Sequence, residues 1–223
     1  MWILFVFPFL GSVAYFIAVY LPQSRMSHQA NILSKKALHV LQPNRAINQA
    51  KIQYENIPSI DNAVRYAEYL TQAGKTAEAI DILKQKYSSL VENDTAYLEQ
   101  LATAYLQDQQ AQNALTITDK ITAIDPNYKI EQIALIRALA HHQLNQQESA
   151  QKNFILATKS QDIDKLSEYA FWAIQTDNAE LAHQIRVDLQ KKWNIGTAYS
   201  RQLHKPIFKQ IDKALKEMKK KAA

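Results

Sequence analysis

The places where this sequence could do chemistry are few: His141-His142, and the carboxylates Asp162 and Asp164. Adjacent helical residues point about 100° apart, and neither histidine has a third ligand at metal spacing. The pair therefore reads as partly buried or groove-facing, with no metal site. Asp162 and Asp164 stand where a helix begins, and carboxylates there stabilise the helix N-terminus instead of dividing acid and base roles. No cysteine is present, which removes thiolate nucleophiles, thiolate metal ligands and disulfides. With glycine only at 11, 74 and 196, no glycine-rich phosphate loop can form. Asn93-Asp94-Thr95 matches a glycosylation sequon, which has no meaning in a cytoplasmic or bacterial setting. No nucleophile, base and metal set converges. The expectation is no catalytic residue, no cofactor, no metal and no small-molecule substrate.

What remains is binding, and a binding surface depends on the elements that carry it. Only three Gly and six Pro, in a body rich in Ala, Leu, Gln, Lys and Glu, favour an all-α chain. From about Ser59 a helix-turn-helix unit recurs, marked by four alanine pairs: Ala67 and Ala79, Ala102 and Ala114, Ala138 and Ala150, Ala170 and Ala182. Each pair is twelve residues apart, and successive units step by 35, 36 and 32 residues. Antiparallel helices approach closest where small side chains face each other, with bulk around them. Tyr66, Leu101 and Tyr169 precede the first alanine of their units, Leu70 and Tyr105 follow it by three, and Ile80 and Leu115 follow the second alanine. Gly74 sits where a first helix should end in a left-handed cap, and Asp125-Pro126-Asn127 sits where one unit breaks before the next.

The runs LTQAGKTAEAIDIL and LATAYLQDQQAQNALTITDKITAIDPN resemble tetratricopeptide repeats, and with their neighbours they cover about residues 59–192. The units fall near 59–94, 95–128, 129–160 and 161–192. Arg137 and His141 occupy normally apolar or aromatic places in the third, and the fourth lacks the Gly turn. The resemblance implies an all-α helical-hairpin solenoid whose first helices line a groove, here Glu68, Gln72, Glu99, Thr103, Gln107, Leu139, His142, Phe171 and Gln175. A Gln recurs at one place in every unit (Gln72, Gln107, Gln143, Gln175), suited to bonding peptide backbone. The groove offers no Lys, Arg and Asn clamp for a chaperone tail carboxylate. It implies an extended or helical protein segment with some basic character, anchored on Phe171 and Leu139.

Two flanks complete this reading. Met26, Ala30, Leu33, Ala37 and Val40, then Ile47, Ala50, Tyr54 and Ile57, predict two amphipathic helices around Pro43, a lead-in over 25–58. Over 193–223, Ile207, Ile211, Leu215 and Met218, with Phe208, predict a capping helix that keeps the last repeat dry.

Ahead of all this, residues 1–24 hold no charge, and Trp2 to Leu21 is a nearly continuous apolar run of 20 residues. At about 1.5 Å per residue that spans a hydrocarbon layer of about 30 Å, so a transmembrane helix is predicted. No basic n-region or small-x-small cleavage site marks a removable signal. The stretch FPFLGSVAYFIAVYLP resembles the hydrophobic N-terminal segment of cardiolipin synthases and related phospholipase D proteins. None of the six His here has Lys two positions later, so an anchor is implied and no catalytic residue. Anchor followed by repeats is also similar to membrane-anchored repeat proteins of Gram-negative bacteria.

Arg25, Lys35 and Lys36 follow the apolar run, which by the positive-inside rule puts the body in the cytoplasm and the anchor in the inner (plasma) membrane. The net charge of +5 is unevenly placed. Five basic residues and no acid precede Ile52; 14 basic and 19 acidic residues lie from Ile52 to Leu203; seven Lys stand against two acids after that. An acidic body argues against nucleic acid. The Lys run, including Lys216, Lys219, Lys220 and Lys221, is either a solvated face of the cap or a patch for anionic lipid. The sequence as a whole predicts a non-catalytic scaffold that binds a protein or peptide and meets lipid through its N-terminal helix. The alternative is an assembly subunit of an envelope complex whose anchor contacts other helices through Gly11 and Ser12.

Overall fold

A computed structural model of the chain describes residues 43–88 and 91–222. The expected membrane helix at 1–24, with its resemblance to cardiolipin synthases, and the first lead-in helix at 26–40 lie outside the described residues. Among those described, every regular element is an α-helix, and no helix is long and apolar enough to cross a membrane. The chain divides into two compact units, Met1–Tyr69 and Leu70–Ala223.

The described part of the first unit is α1 (Pro43–Asn56) and most of α2 (Ile60–Gln72). Pro43 opens α1, where its missing N–H would have been unpaired anyway. Ala46, Ile47 and Ala50 are buried along one stripe of α1, and Ala63, Tyr66 and Ala67 are buried on α2. The Tyr54 and Tyr66 rings stack 6.0 Å apart. Asn62 closes the corner by donating to the Ile57 carbonyl at 2.8 Å. Ile57 itself falls past the end of α1 and is 65% exposed, so the predicted apolar stripe stops one turn early.

The second unit runs from the end of α2 through α3 (Thr76–Lys86), α4 (Thr95–Gln107), α5 (Ala111–Ile124), α6 (Ile130–Gln143), α7 (Gln147–Ala157), α8 (Ile163–Gln175), α9 (Ala179–Ile195) and α10 (Ala198–Ala222). Within it α4 packs on α5, α6 on α7 and α8 on α9, while α6 also meets α4. All eight marker alanines are buried at 1% exposure or less, one on each helix from α2 to α9. The missing side-chain bulk is what lets α4 nest on α5, α6 on α7 and α8 on α9, and Leu70, Tyr105, Leu101, Ile80, Leu115 and Tyr169 are buried as well.

Every hairpin turn is built the same way, although only one contains glycine. Gly74, Gln109, Asn145 and Asp177 each stand seven residues after the first alanine of the unit, with φ of 77°, 61°, 59° and 55°. After each, an N–H closes a six-residue loop onto the helix end: Lys75 to Leu70 O, Gln110 to Tyr105 O, Gln146 to His141 O and Asn178 to Ala173 O, at 2.8–2.9 Å. This is a Schellman C-cap repeated four times. The fourth unit, without a Gly turn in sequence, makes the turn with Asp177. At the other helix ends, Asp94 and Asp162 accept backbone N–H groups of α4 and α8, so Asp162 is a helix cap.

A continuous core lies between α6 and α10. Phe154 is fully buried, with Tyr169 stacked at 5.1 Å and Trp172 tilted at 5.4 Å. Trp172 also donates its indole N–H to Gln147 Oε1. α10 packs on α8 and α9 and closes this core with Phe208, Ile211 and Leu215. It continues through Pro206 and begins at Ala198, eight residues before it. Arg186 on α9 holds α10 by a two-pronged pair with Asp212 (2.6 and 3.2 Å) and lies 5.0 Å from the Phe208 ring centre.

Candidate functional site

The first helices of the second and third hairpins, α4 and α6, leave a groove between them of about 530 Å³. α4 contributes Thr103, Leu106 and Gln107, the turn adds Gln109, and α6 supplies Gln132, Leu135, Ile136, Leu139, His142 and Gln143. No lining side chain is an Asp, Glu, Lys or Arg. Its walls are apolar and its polar groups are carboxamides, a hydroxyl and an imidazole.

Among the described residues, two buried polar atoms here have no partner: His142 Nδ1 and Gln143 Oε1. Their chemistry follows from what the other end of each side chain does. Gln143 Nε2 donates to the Leu106 carbonyl at 3.0 Å, which leaves its oxygen as a bare acceptor. His142 Nε2 lies 3.0 Å from Gln175 Oε1, which leaves Nδ1 as the ring nitrogen open to a partner. Leaving a buried acceptor unmet costs about 1–3 kcal/mol. An occupant that brings both N–H and C=O groups would meet the Gln143 acceptor and the ring nitrogen alike.

The charged side chains of α4 and α6 outside the groove lining are already engaged. Glu99, one turn before Thr103, accepts from Lys129 and from the Tyr128 hydroxyl, each at 2.8 Å. The Glu99 carboxylate in turn raises the Lys129 ammonium above its usual range, and burial with the same carboxylate raises the Tyr128 hydroxyl. On the N-terminal turn of α6, Glu131 is bound by the Ser160 backbone and hydroxyl and by Lys165, which lowers its carboxyl below the usual range. Arg137 pairs with Asp119 on α5, and burial lowers its guanidinium.

Of the residues predicted to line a groove, Thr103, Gln107, Leu139 and His142 do so together. Gln175 reaches the same place through His142. Phe171 is half-buried against the core of α6 to α10, so it is a wall of that core more than a free anchor. Glu68 and Gln72 are exposed on α2. Lys216, Lys219 and Lys220 are exposed on α10, and the side chain of Lys221 lies outside the described residues. Among the described residues no three His, Asp or Glu converge as metal ligands. His141 bonds Gln146 at 2.6 Å, away from His142.

No family model matches the chain, and no curated protein does. Solved structures do. The thermophilic TPR protein TTC0263 of Thermus thermophilus superposes with a TM-score of 0.66 at 14% identity, over 82% of this chain and 95% of that one. MamA from Desulfovibrio magneticus RS-1, residues 41 to the end, gives a TM-score of 0.52 at 14% identity, over 75% and 95%. The chain has a tetratricopeptide-like fold. Within that fold the groove lies on first helices, as its geometry here requires.

Leu106, Gln109, Gln132, Leu135, Ile136 and Gln143 also line the groove, and the groove set read from sequence omits them. α6 is apolar around most of its circumference, so helical periodicity cannot say which apolar residues face the core and which face the groove. The repeated Gln was the available signal for Gln143. Gln109 was invisible because its position depends on a left-handed turn made by a residue with no preference for one.

Proposed function

We propose that this protein is a non-catalytic interaction scaffold that receives an extended protein segment in the α4–α6 groove and is held at the cytoplasmic face of a membrane by residues 1–24. The observation that carries the first part is the pair of unmet polar atoms, Gln143 Oε1 and His142 Nδ1, set among Leu106, Leu135, Ile136 and Leu139. An extended backbone presents N–H groups at regular intervals and leaves its side chains free for apolar pockets. The likeness to solved TPR structures supports the same reading through the fold. The anchor rests on the uncharged apolar run from Trp2 to Leu21, and the cytoplasmic side on Arg25, Lys35 and Lys36.

The segment carries little charge where it crosses the groove. Glu99, the nearest carboxylate along α4, is already held by Lys129 and Tyr128, so any basic residues of the segment would lie beyond it.

Photocrosslinking in intact cells tests this. A photoreactive residue at Leu139 should yield a discrete protein adduct that the same probe at Val187, 55% exposed on α9, does not. Adding Gln143→Leu should weaken the Leu139 adduct while helical content stays unchanged. Equal labelling from both positions would discard the groove. Membrane anchoring is tested separately, by whether deletion of residues 1–24 releases the protein into the soluble fraction.

A further inference from the structure

α10 carries more positive charge than docking needs. Its buried face is fully used by Phe208, Ile211 and Leu215 against α8 and α9. Outside that face, Lys205, Lys209, Lys213, Lys216 and Lys220 recur at spacings of 4, 4, 3 and 4, which places them on one stripe. The stripe is about 22 Å long at about 1.5 Å per residue. All five are exposed. The helix has only two acids: Asp212 is taken by Arg186, and Glu217 lies 3.9 Å from Lys213.

At one end of this stripe, apolar side chains stand in water. Ile195 at the end of α9 is 78% exposed, and Tyr199 and Leu203, one turn apart on α10, are 51% and 59% exposed. Among the described residues, no packing accounts for these three large apolar groups at the junction of α9 and α10. A lysine row flanked by exposed aliphatic and aromatic groups is the pattern of a surface that meets a bilayer at its interface, where lysines attract headgroups and apolar tips enter the acyl boundary.

We propose that the exposed face of α10, with the Ile195, Tyr199 and Leu203 corner, lies on an anionic bilayer and is a lipid contact separate from the N-terminal segment. Each lysine close to such a surface adds about 1 kcal/mol, so five in a row raise binding by orders of magnitude. A nucleic acid is the weaker occupant for this face. A phosphate backbone gives the apolar corner nothing to enter, and the remainder of the body is acidic.

The absence of cysteine makes the test direct. In the full chain, Leu203→Cys is labelled with an environment-sensitive fluorophore and mixed with preformed vesicles of phosphatidylcholine alone, or with phosphatidylglycerol added. The expected result is a blue shift, with quenching by lipid-borne bromine, in the anionic vesicles only, lost in about 1 M salt where charges are screened beyond about 3 Å. Changing Lys205, Lys209, Lys213 and Lys216 together to Glu, and in a second variant to Gln, should reduce quenching to that of a probe at Val187→Cys. Helical content should stay unchanged. Quenching that is equal in neutral and anionic vesicles, or that survives in the folded Gln variant, overturns the proposal. So does a probe that responds to duplex DNA and not to anionic vesicles.

Discussion

Gln109 sits at φ 61°, a conformation that costs an L-residue about 1–2 kcal/mol, and it is held there by the Gln110 N–H to Tyr105 O bond. Gln109→Gly should therefore raise stability by about 1 kcal/mol, seen as a higher urea midpoint with unchanged slope. Gly74→Ala should do the reverse by about the same amount. A Cβ at Gly74 would meet no atom within 4 Å, so the whole effect there is backbone conformation. Glu131 gives a pH-dependent counterpart. Its folded carboxyl is depressed by Ser160 and Lys165, so its contribution is complete above the unfolded value near 4.5 and disappears as pH falls through the folded one. Between neutral pH and about pH 3, wild type should lose more stability than Glu131→Gln, and parallel urea curves would refute that assignment. Tyr97 behaves differently. Burial, with Tyr87 and Tyr105 nearby, pushes its hydroxyl up to about 12, and it donates to the Leu83 carbonyl, tying α4 to α3. It should stay protonated in an alkaline titration after exposed tyrosines have ionised.

Between helices, fit is set by the smallest side chains. Ala102 and Ala114, both fully buried, allow α4 and α5 to nest. Ala102→Leu should overpack that contact and cost about 1–3 kcal/mol by denaturant titration. Helix pairing was legible in the sequence for this reason, since small residues in register leave a mark that survives changes elsewhere. Ala138 and Ala150 identify the third hairpin even though Arg137 and His141 stand where apolar groups are usual. Both polar residues find partners on neighbouring segments, Asp119 and Gln146. The groove was only partly legible. Thr103, Gln107, Leu139 and His142 follow from position within a unit, whereas Leu135 and Ile136 compete with core residues on a helix that is apolar on several sides.

At the scale of the second unit, the core from α6 to α10 depends on its last helix. Ile211 is fully buried, so Ile211→Ala should cost about 2–5 kcal/mol. Ending the chain at Ile195 would uncover Leu166, Tyr169, Ile185 and Leu189 and should produce aggregation or a broadened unfolding transition. The cap was legible because its apolar stripe had no other use. Its exact start was less so, since the apolar stripe begins only at Ile207 while the helix itself runs from Ala198 through Pro206. The turns have one more implication. A bend that asks only for one positive dihedral accepts glycine, glutamine, asparagine or aspartate without altering its hydrogen bonds. Chains using it can share an architecture while agreeing at few letters, and a superposition of 0.66 beside 14% identity is the outcome such tolerance permits. Likeness of fold in a molecule of this kind is carried by dihedral angles before it is carried by spelling.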